Sequence, residues 1–281
     1  MQSFFNKNQI DKIVNFAIDA GKIAVDSFEK KDFSVTKKPD GSKVTSADIA
    51  VSEFLREELT KEFPKIPIIC EEGDLRHISS DIFFVIDPID GTSSFASGSV
   101  EFAVNIAVVQ GDKAVFGLIY APLFQGGKMA VTDALSNVSL FSGGFCQESQ
   151  KIVLKEDALV KEELNIITSA RSSEQDVLSY VEQFYPEMIN NYFVTKISSA
   201  AKFIQLLESP FSIYVHFRPS MEWDTAAGQA LIEVMGGKVK NISFNQDKFL
   251  VGSNLLYKKK DYANYPFVAS INSLSGGVNN G

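Results

Sequence analysis

Cysteine is nearly absent: Cys70 and Cys146 are the only two in 281 residues. That excludes a disulfide scaffold and suits a reducing compartment. No histidine or cysteine nucleophile motif occurs, which fits direct attack by water rather than a covalent enzyme intermediate. No uninterrupted apolar run approaches membrane-spanning length. The opening "MQSFFNKNQIDKIV" lacks the long apolar core of a signal peptide. Basic charge is in deficit, with 27 Lys and Arg against 35 Asp and Glu, a net charge of −8. A nucleic acid polymer is therefore excluded as a partner, while a small anionic ligand requires local cations. The chain is expected in the cytoplasm, either free or peripheral to the inner membrane, as a monomer or homodimer.

The balance of residues is otherwise that of a globular protein, 45% hydrophobic and 22% charged. "QIDKIVNFAIDAGKIAVDSFEK" places Ile10, Ile13, Ala17, Ala20, Ala24 and Phe28 at helical spacing, and "SADIAVSEFLREELTKEF" does the same before Pro64. The polar stretch "KKPDGSKVTSAD" between them reads as a loop. Short apolar runs follow, "IPIIC" and "IFFVID", and then a hairpin that turns at Gly111-Asp112. From "LNIITSA" to "KVKNISF", strands and helices alternate. The expectation is an α/β fold of layered α+β character. Residues 1–132 would form an α+β subdomain and 133–270 an α/β subdomain, with 271–281 a disordered tail.

Five acidic stations carry the chemistry: Asp48 in "VTSAD", Glu71-Glu72 after "IPIIC", Asp87 and Asp90 in "DPIDGTSSF", and Asp224 in "MEWDTAAG". Singly, Asp48 and Asp224 read as helix caps and the glutamates as solvated loop residues. Glu71 and Asp87, however, each end an apolar strand, where ligand sites of α/β sheets gather. Pro88 holds Asp87 extended and bends the chain, so that both aspartates and the Ile89 carbonyl can face one point. Carboxylates so placed need a cation, and hard oxygen donors suit Mg²⁺. "GTSS" then offers Gly91, Thr92 and Ser93 as a phosphate cradle at the start of a helical turn. Metal beside amide donors suits a phosphate ester attacked in line by activated water.

"EEG", "DPIDGTSSF" and "WDTAAGQALIEVMGG", with "VTSAD" ahead of them, resemble in residues and order the inositol monophosphatase superfamily of Mg²⁺-dependent, lithium-sensitive phosphatases. "FRPSMEWDTAAGQA" and "EFAVNIAVV" look closer to its 3′(2′),5′-bisphosphate nucleotidases, the CysQ type. The resemblance implies an αβαβα sandwich. It also implies removal of the 3′-phosphate of adenosine 3′,5′-bisphosphate, a by-product of sulfate assimilation, to leave AMP. Glu71, Asp87 and the Ile89 carbonyl would hold one Mg²⁺, and Asp87, Asp90 and Asp224 a second. Glu71, Asp48 and Thr92 would act in catalysis, Asp48 and Thr92 orienting the attacking water, with two Mg²⁺ per site or a third loosely held. Gly91, Thr92, Ser93 and Asp224 would bind the substrate.

The departures from the pattern are Phe84 for a tryptophan, Ser93-Ser94 for Lys-Glu, and Ser198 and Arg218 for glycines. They touch recognition of the leaving group and not the metal centre. Lys196, Lys202, His216 and Arg218 are candidates for a nucleotide's 5′-phosphate, with solvation or packing as the alternative. Trp223 is expected to pack beneath the site, and "KKK" at 258–260 to be a solvated turn. The competing functions are the same chemistry on an inositol or sugar phosphate, and a non-catalytic Mg²⁺- or nucleotide-binding regulator.

Overall fold

The computed structural model describes residues 4–73, 78–144, 148–151, 163–209, 211–245 and 248–271. Both expected N-terminal helices are present, α1 (Lys7–Lys30) and α2 (Ser46–Glu62). Asn6 caps α1 reciprocally with Gln9, each backbone N–H donating to the other's side chain at 3.0 Å. The polar stretch between the helices is a short antiparallel hairpin, β1 (Val35–Lys37) and β2 (Lys43–Thr45). There Asp40, Gly41 and Ser42 form the turn, and Gly41 carries a φ of 85°.

The first sheet holds β3 (Ile68–Cys70), β4 (Ile82–Asp90), β5 (Ala103–Gln110), β6 (Lys113–Ala121), β7 (Lys128–Thr132), β8 (Val138–Ser142) and β9 (Glu148–Lys151), in that spatial order. Only β3 and β4 run parallel. The five-residue α3 (Thr92–Ala96) follows β4, and β5 and β6 turn at Gly111-Asp112 as expected. The division expected at residue 132 falls inside this sheet, which continues through β8 and β9 to Lys151.

The second unit comprises β10 (Leu164–Ser169), α4 (Glu174–Phe184), β11 (Tyr192–Ile197), α5 (Ala201–Glu208), β12 (Ser212–His216), β13 (Ser220–Met221), α6 (Glu222–Val234), β14 (Lys238–Asn245), β15 (Lys248–Asn254), β16 (Ala263–Asn264) and β17 (Phe267–Ser270). Six of these strands form a mixed sheet in the order β11-β10-β12-β17-β14-β15, and β13 pairs with β16 apart from it. Ile271, placed in the tail by the sequence, is 5% exposed and belongs to the core. Residues 272–281 lie outside the described residues.

Alternation along the strands assigns the layers. Phe84, Ile86, Val104, Ile106 and Leu118 pack under α1 and α2. Their neighbours Phe83, Val85, Ala107 and Ile119 face the opposite way, onto α5 and α6. Ile167, Tyr214 and Val239 of the second sheet meet the same helices from the far side, while Ile166, Ile213 and Val215 turn outward onto α4. The central strands are therefore covered on both faces, which is why β4, β5 and β6 read as nearly unbroken apolar runs, while β11 and β15 at the edges of the second sheet stay largely exposed. The five layers are α, β, α, β, α. Among the described residues, no helix is long and apolar enough to cross a membrane.

Helix α6 sits between the sheets at unusually close range. A Cβ on Gly117 of β6 would lie 2.2 Å from the Ala227 carbonyl oxygen, and one on Gly228 would lie 2.2 Å from the Phe203 ring. Backbone cannot yield as a side chain does, so Gly117→Ala overpacks the contact. It is expected to cost about 2 kcal/mol of stability, measured by urea unfolding. A loss below about 0.5 kcal/mol, the range of an ordinary surface change, would refute so tight a contact.

Candidate active site

Strand β4 is buried from Phe83 to Ile89, so it can end at a site only by leaving its ladder. Pro88 has no N–H to pair, and the register with β5 shifts between Asp87 and Asp90. Gly91 then turns the chain into α3 with φ 88°, where a Cβ would stand 3.0 Å from the Glu101 carbonyl oxygen. Asp224 arrives from the other half of the molecule, in the first turn of α6. Its Oδ2 accepts the Met221 N–H at 2.7 Å. One carboxylate oxygen from each of Asp87, Asp90 and Asp224 lies within 4.8 Å of the others.

Two unit charges 4.8 Å apart repel by about 3.5 kcal/mol at an effective dielectric near 20. Burial pushes Asp87 well above the usual carboxylate range, and Glu71, Asp90 and Asp224 push it further. Asp224 is raised for the same reasons, burial first and then Asp90. Asp90 is raised by burial as well, against the pull of the Lys202 ammonium. Among the described residues, Asp87 Oδ1 is buried without a hydrogen-bond partner. A cluster of acidic oxygens with an orphaned acceptor fits a hard divalent cation.

The remaining expected residues surround this triad. Asp48 lies at the start of α2, where its Oδ2 accepts from both the backbone N–H and the hydroxyl of Thr45. Thr45 is the N-cap, and Asp48, expected from the sequence as the cap, is the third residue of the helix and closes a capping box with it. Asp48 Oδ1 accepts the Thr92 hydroxyl at 2.8 Å, which joins it to the site. Thr92 Oγ1 also stands 3.1 Å from the Ile89 carbonyl oxygen. Gly91, Thr92 and Ser93 line a cavity of about 500 Å³ together with Glu71, Asp87, Ile89, Asp90 and Asp224. Glu71 and Glu72 are not free in this arrangement. The Lys38 ammonium bridges them at 2.8 and 2.5 Å. Burial works against the charge on Lys38, but these two partners outweigh it and hold the ammonium protonated.

The cavity is also lined by Ser169, Arg171, Ser198, Ser199, Lys202 and His216. Lys202 is 5% exposed and donates to the Ser199 and Ile197 carbonyls at 2.5 and 3.4 Å. Burial lowers its pKa, and Asp90, Asp224 and Glu101 oppose that. His216 packs its ring on Phe267 and is pushed down to about 3 by burial and by the charges of Lys202 and Arg218, so it is neutral at pH 7. Lys196 is exposed on β11, and Arg218 reaches the Arg171 carbonyl; neither lines the cavity. Trp223 packs at 5% exposure beside the triad, as expected. Two groups escaped the sequence: Lys38, in what read as a loop, and Asn105, whose amide lies 3.5 Å from both Asp90 and the Trp223 carbonyl. Asn105 stands opposite Asp87 in the ladder, so strand pairing was the only available clue to it.

Residues 6–272 match the inositol monophosphatase family. The chain belongs to that family. Across its length it is 30% identical to the 3′(2′),5′-bisphosphate nucleotidase CysQ of Buchnera aphidicola, over 94% of each chain. The CysQ nucleotidase of Haemophilus influenzae is 28% identical, over 89% of this chain and 93% of its own. The crystal structure of CysQ from Bacteroides thetaiotaomicron superposes with a TM-score of 0.76 over 95% of this chain and 98% of the other, at 24% identity. The fold expected from the resemblance is thus the observed one. The inositol monophosphatase family is metal-dependent, and its acidic triad is present here.

Without metal, raised folded-state pKa values give a definite sign. Asp87 and Asp224 favour folding while protonated, and that contribution is lost as pH climbs from about 4 through the raised folded values. In EDTA the melting temperature of the wild type is expected to fall toward neutral pH, and Asp87→Asn to flatten the fall. Superimposable melting profiles for the two proteins would refute the buried repulsion.

Proposed function

We propose that the protein is a Mg²⁺-dependent phosphomonoesterase that hydrolyses adenosine 3′,5′-bisphosphate to AMP and phosphate. One observation carries the proposal. The three aspartates, Thr92 and the opening turn of α3 all line a single cavity of about 500 Å³, with Asp48 behind Thr92 as acceptor of its hydroxyl, and that is a size suited to a small-molecule ligand. The preference for a nucleotide is drawn from the CysQ relatives and from the basic residues Lys43, Arg171 and Lys202 in the cavity lining.

Asp87, Asp90 and Asp224 would hold the cations, with Glu71 and the Ile89 carbonyl beside them. Bound there, Mg²⁺ would offset the charge of the ester and ease ionisation of water. The chain's own residues supply the rest. Gly91, Thr92 and Ser93 hold the scissile phosphate at the start of α3. Asp48 accepts the Thr92 hydroxyl proton, so Thr92 Oγ1 is oriented to take a proton from a water placed in line with the ester bond. Oxygen from that water joins phosphorus, the bond to the 3′-oxygen breaks, and the leaving oxygen takes a proton from solvent water to become the AMP hydroxyl. Two of the three Lys202 donors are held by carbonyls, and the third is available to the 5′-phosphate. With this activity go lithium inhibition, a role in clearing a by-product of sulfate assimilation, a cytoplasmic location and a monomeric or dimeric state.

The test is phosphate release in Mg²⁺ from adenosine 3′,5′-bisphosphate, inositol 1-phosphate and fructose 1,6-bisphosphate. The nucleotide should give the highest kcat/KM. Thr92→Ala should lower kcat by about 10²-fold or more, and Lys202→Met should raise KM for the bisphosphate with less effect on kcat. Faster turnover of the inositol or sugar ester would transfer the assignment to that substrate. Tight nucleotide binding without turnover would mark a regulator.

A further inference from the structure

We propose that Glu222 is a positioning residue for the cation site, holding Asp224 in place from behind. Glu222 is the first residue of α6 and is 0% exposed. A carboxylate is almost never buried so fully unless it is paired. Its side chain does not line the cavity. It turns instead to the segment that follows β15. Oε2 accepts the Lys258 N–H and Oε1 the Lys259 N–H, both at 2.9 Å, and the Lys259 ammonium stands 3.0 Å from Oε1. "KKK" is therefore no solvated turn, because its central lysine is an anchor. That ammonium also donates to Asn264 Oδ1 at 2.7 Å and to the Leu256 carbonyl.

The same turn of α6 is fastened at further points. The Glu222 N–H donates to the Tyr262 carbonyl at 2.8 Å. Ser220 and Met221 pair with Asn264 and Ala263. The Asn264 amide reaches Thr225 Oγ1 at 2.7 Å. Glu222 thus stands at the centre of a polar bracket around the residues that precede and follow Asp224. A buried ion pair of this kind contributes little net stability compared with an apolar replacement. What it does supply is a fixed geometry, and Asp224 is the one carboxylate of the triad that comes from the other half of the molecule. If the first turn of α6 shifts, Asp224 moves away from Asp87 and Asp90. Groups that orient metal ligands commonly change metal affinity 10- to 100-fold when removed.

This inference rests on the assignment of the triad as a cation site, and the two can fail separately. The lone tryptophan, Trp223, lies between Glu222 and Asp224, so its fluorescence reports on this turn. Mn²⁺ binding to the full chain is measured by calorimetry and by Trp223 emission. Asp224→Asn is expected to abolish binding at the triad, and Glu222→Gln to weaken it about tenfold with an altered Trp223 response. Lys259→Met, which leaves both backbone donors in place, is expected to weaken it less. Phe249→Leu, a core change beneath α4, should leave affinity unchanged at a comparable loss of melting temperature. If Asp224→Asn binds normally, the cation-site assignment falls and takes this proposal with it. If Asp224→Asn loses binding while Glu222→Gln stays within twofold of wild type, the positioning role alone is overturned. It is overturned equally if Phe249→Leu weakens binding as much as Glu222→Gln. Should Glu222→Gln fail to fold, unchanged affinity in Lys259→Met overturns the role instead.

Discussion

Mutual repulsion among Asp87, Asp90 and Asp224 is the constraint on which the rest of this structure bears. Their ligand oxygens lie within 4.8 Å of one another, and the burial of Asp87 removes part of the water that would otherwise screen them. No chain brings carboxylates together in this way for stability, because each raises the proton affinity of the others. The triad is a place where the fold gives up stability for a charged ligand, and the surrounding architecture supplies what is needed to hold it.

Two features of the scaffold do so. Strand β4 is buried on both faces as far as Ile89, so packing on either side fixes the position of Asp87 and Asp90. Helix α6 lies between the two sheets, with Gly117 and Gly228 removing the side chains that would hold it away. A helix gripped from both sides moves little, so the distance from Asp224 to the other two aspartates is set by the core. Its first turn is buried too, and there hydrogen bonds to Glu222 and from Asn105 add direction to the packing.

Much of this was legible in the sequence wherever one residue type can satisfy the requirement. Asp87, Asp90, Gly91 and Thr92 stood out as a proline-broken strand end with paired aspartates, whereas Asp224 read by itself as a helix cap and joined them only through the family resemblance. The helices α1, α2 and α6 followed from spacing, and the β5–β6 hairpin from Gly111-Asp112. Illegible were the features set by partners distant in the chain. Strand β17, which lies between β12 and β14, is only Phe267–Ser270 and is followed by a polar tail. The continuation of the first sheet past residue 132 depends on β8 and β9, whose residues carry little apolar pattern. Lys38 looked like a solvated loop residue because its partners, Glu71 and Glu72, lie more than thirty positions away.

Lys202, which lines the cavity, and Lys38, which bridges Glu71 and Glu72, show how an acidic protein can receive an anionic substrate. With a net charge of −8, the long-range field opposes approach of a phosphate ester, but salt screens exposed charges beyond about 8 Å. Recognition must therefore be local. Lys202 is buried behind Asp90 and Asp224, where its charge is little screened and is partly offset by theirs. Lys38 is committed to Glu71 and Glu72 at the other end. Before any cation binds, the cavity thus presents carboxylates whose charge the protein only partly balances. A divalent cation held by the triad would offset much of that charge, so that with the Lys202 ammonium nearby a phosphate would no longer be opposed. On this electrostatic argument, cation binding would precede productive substrate binding.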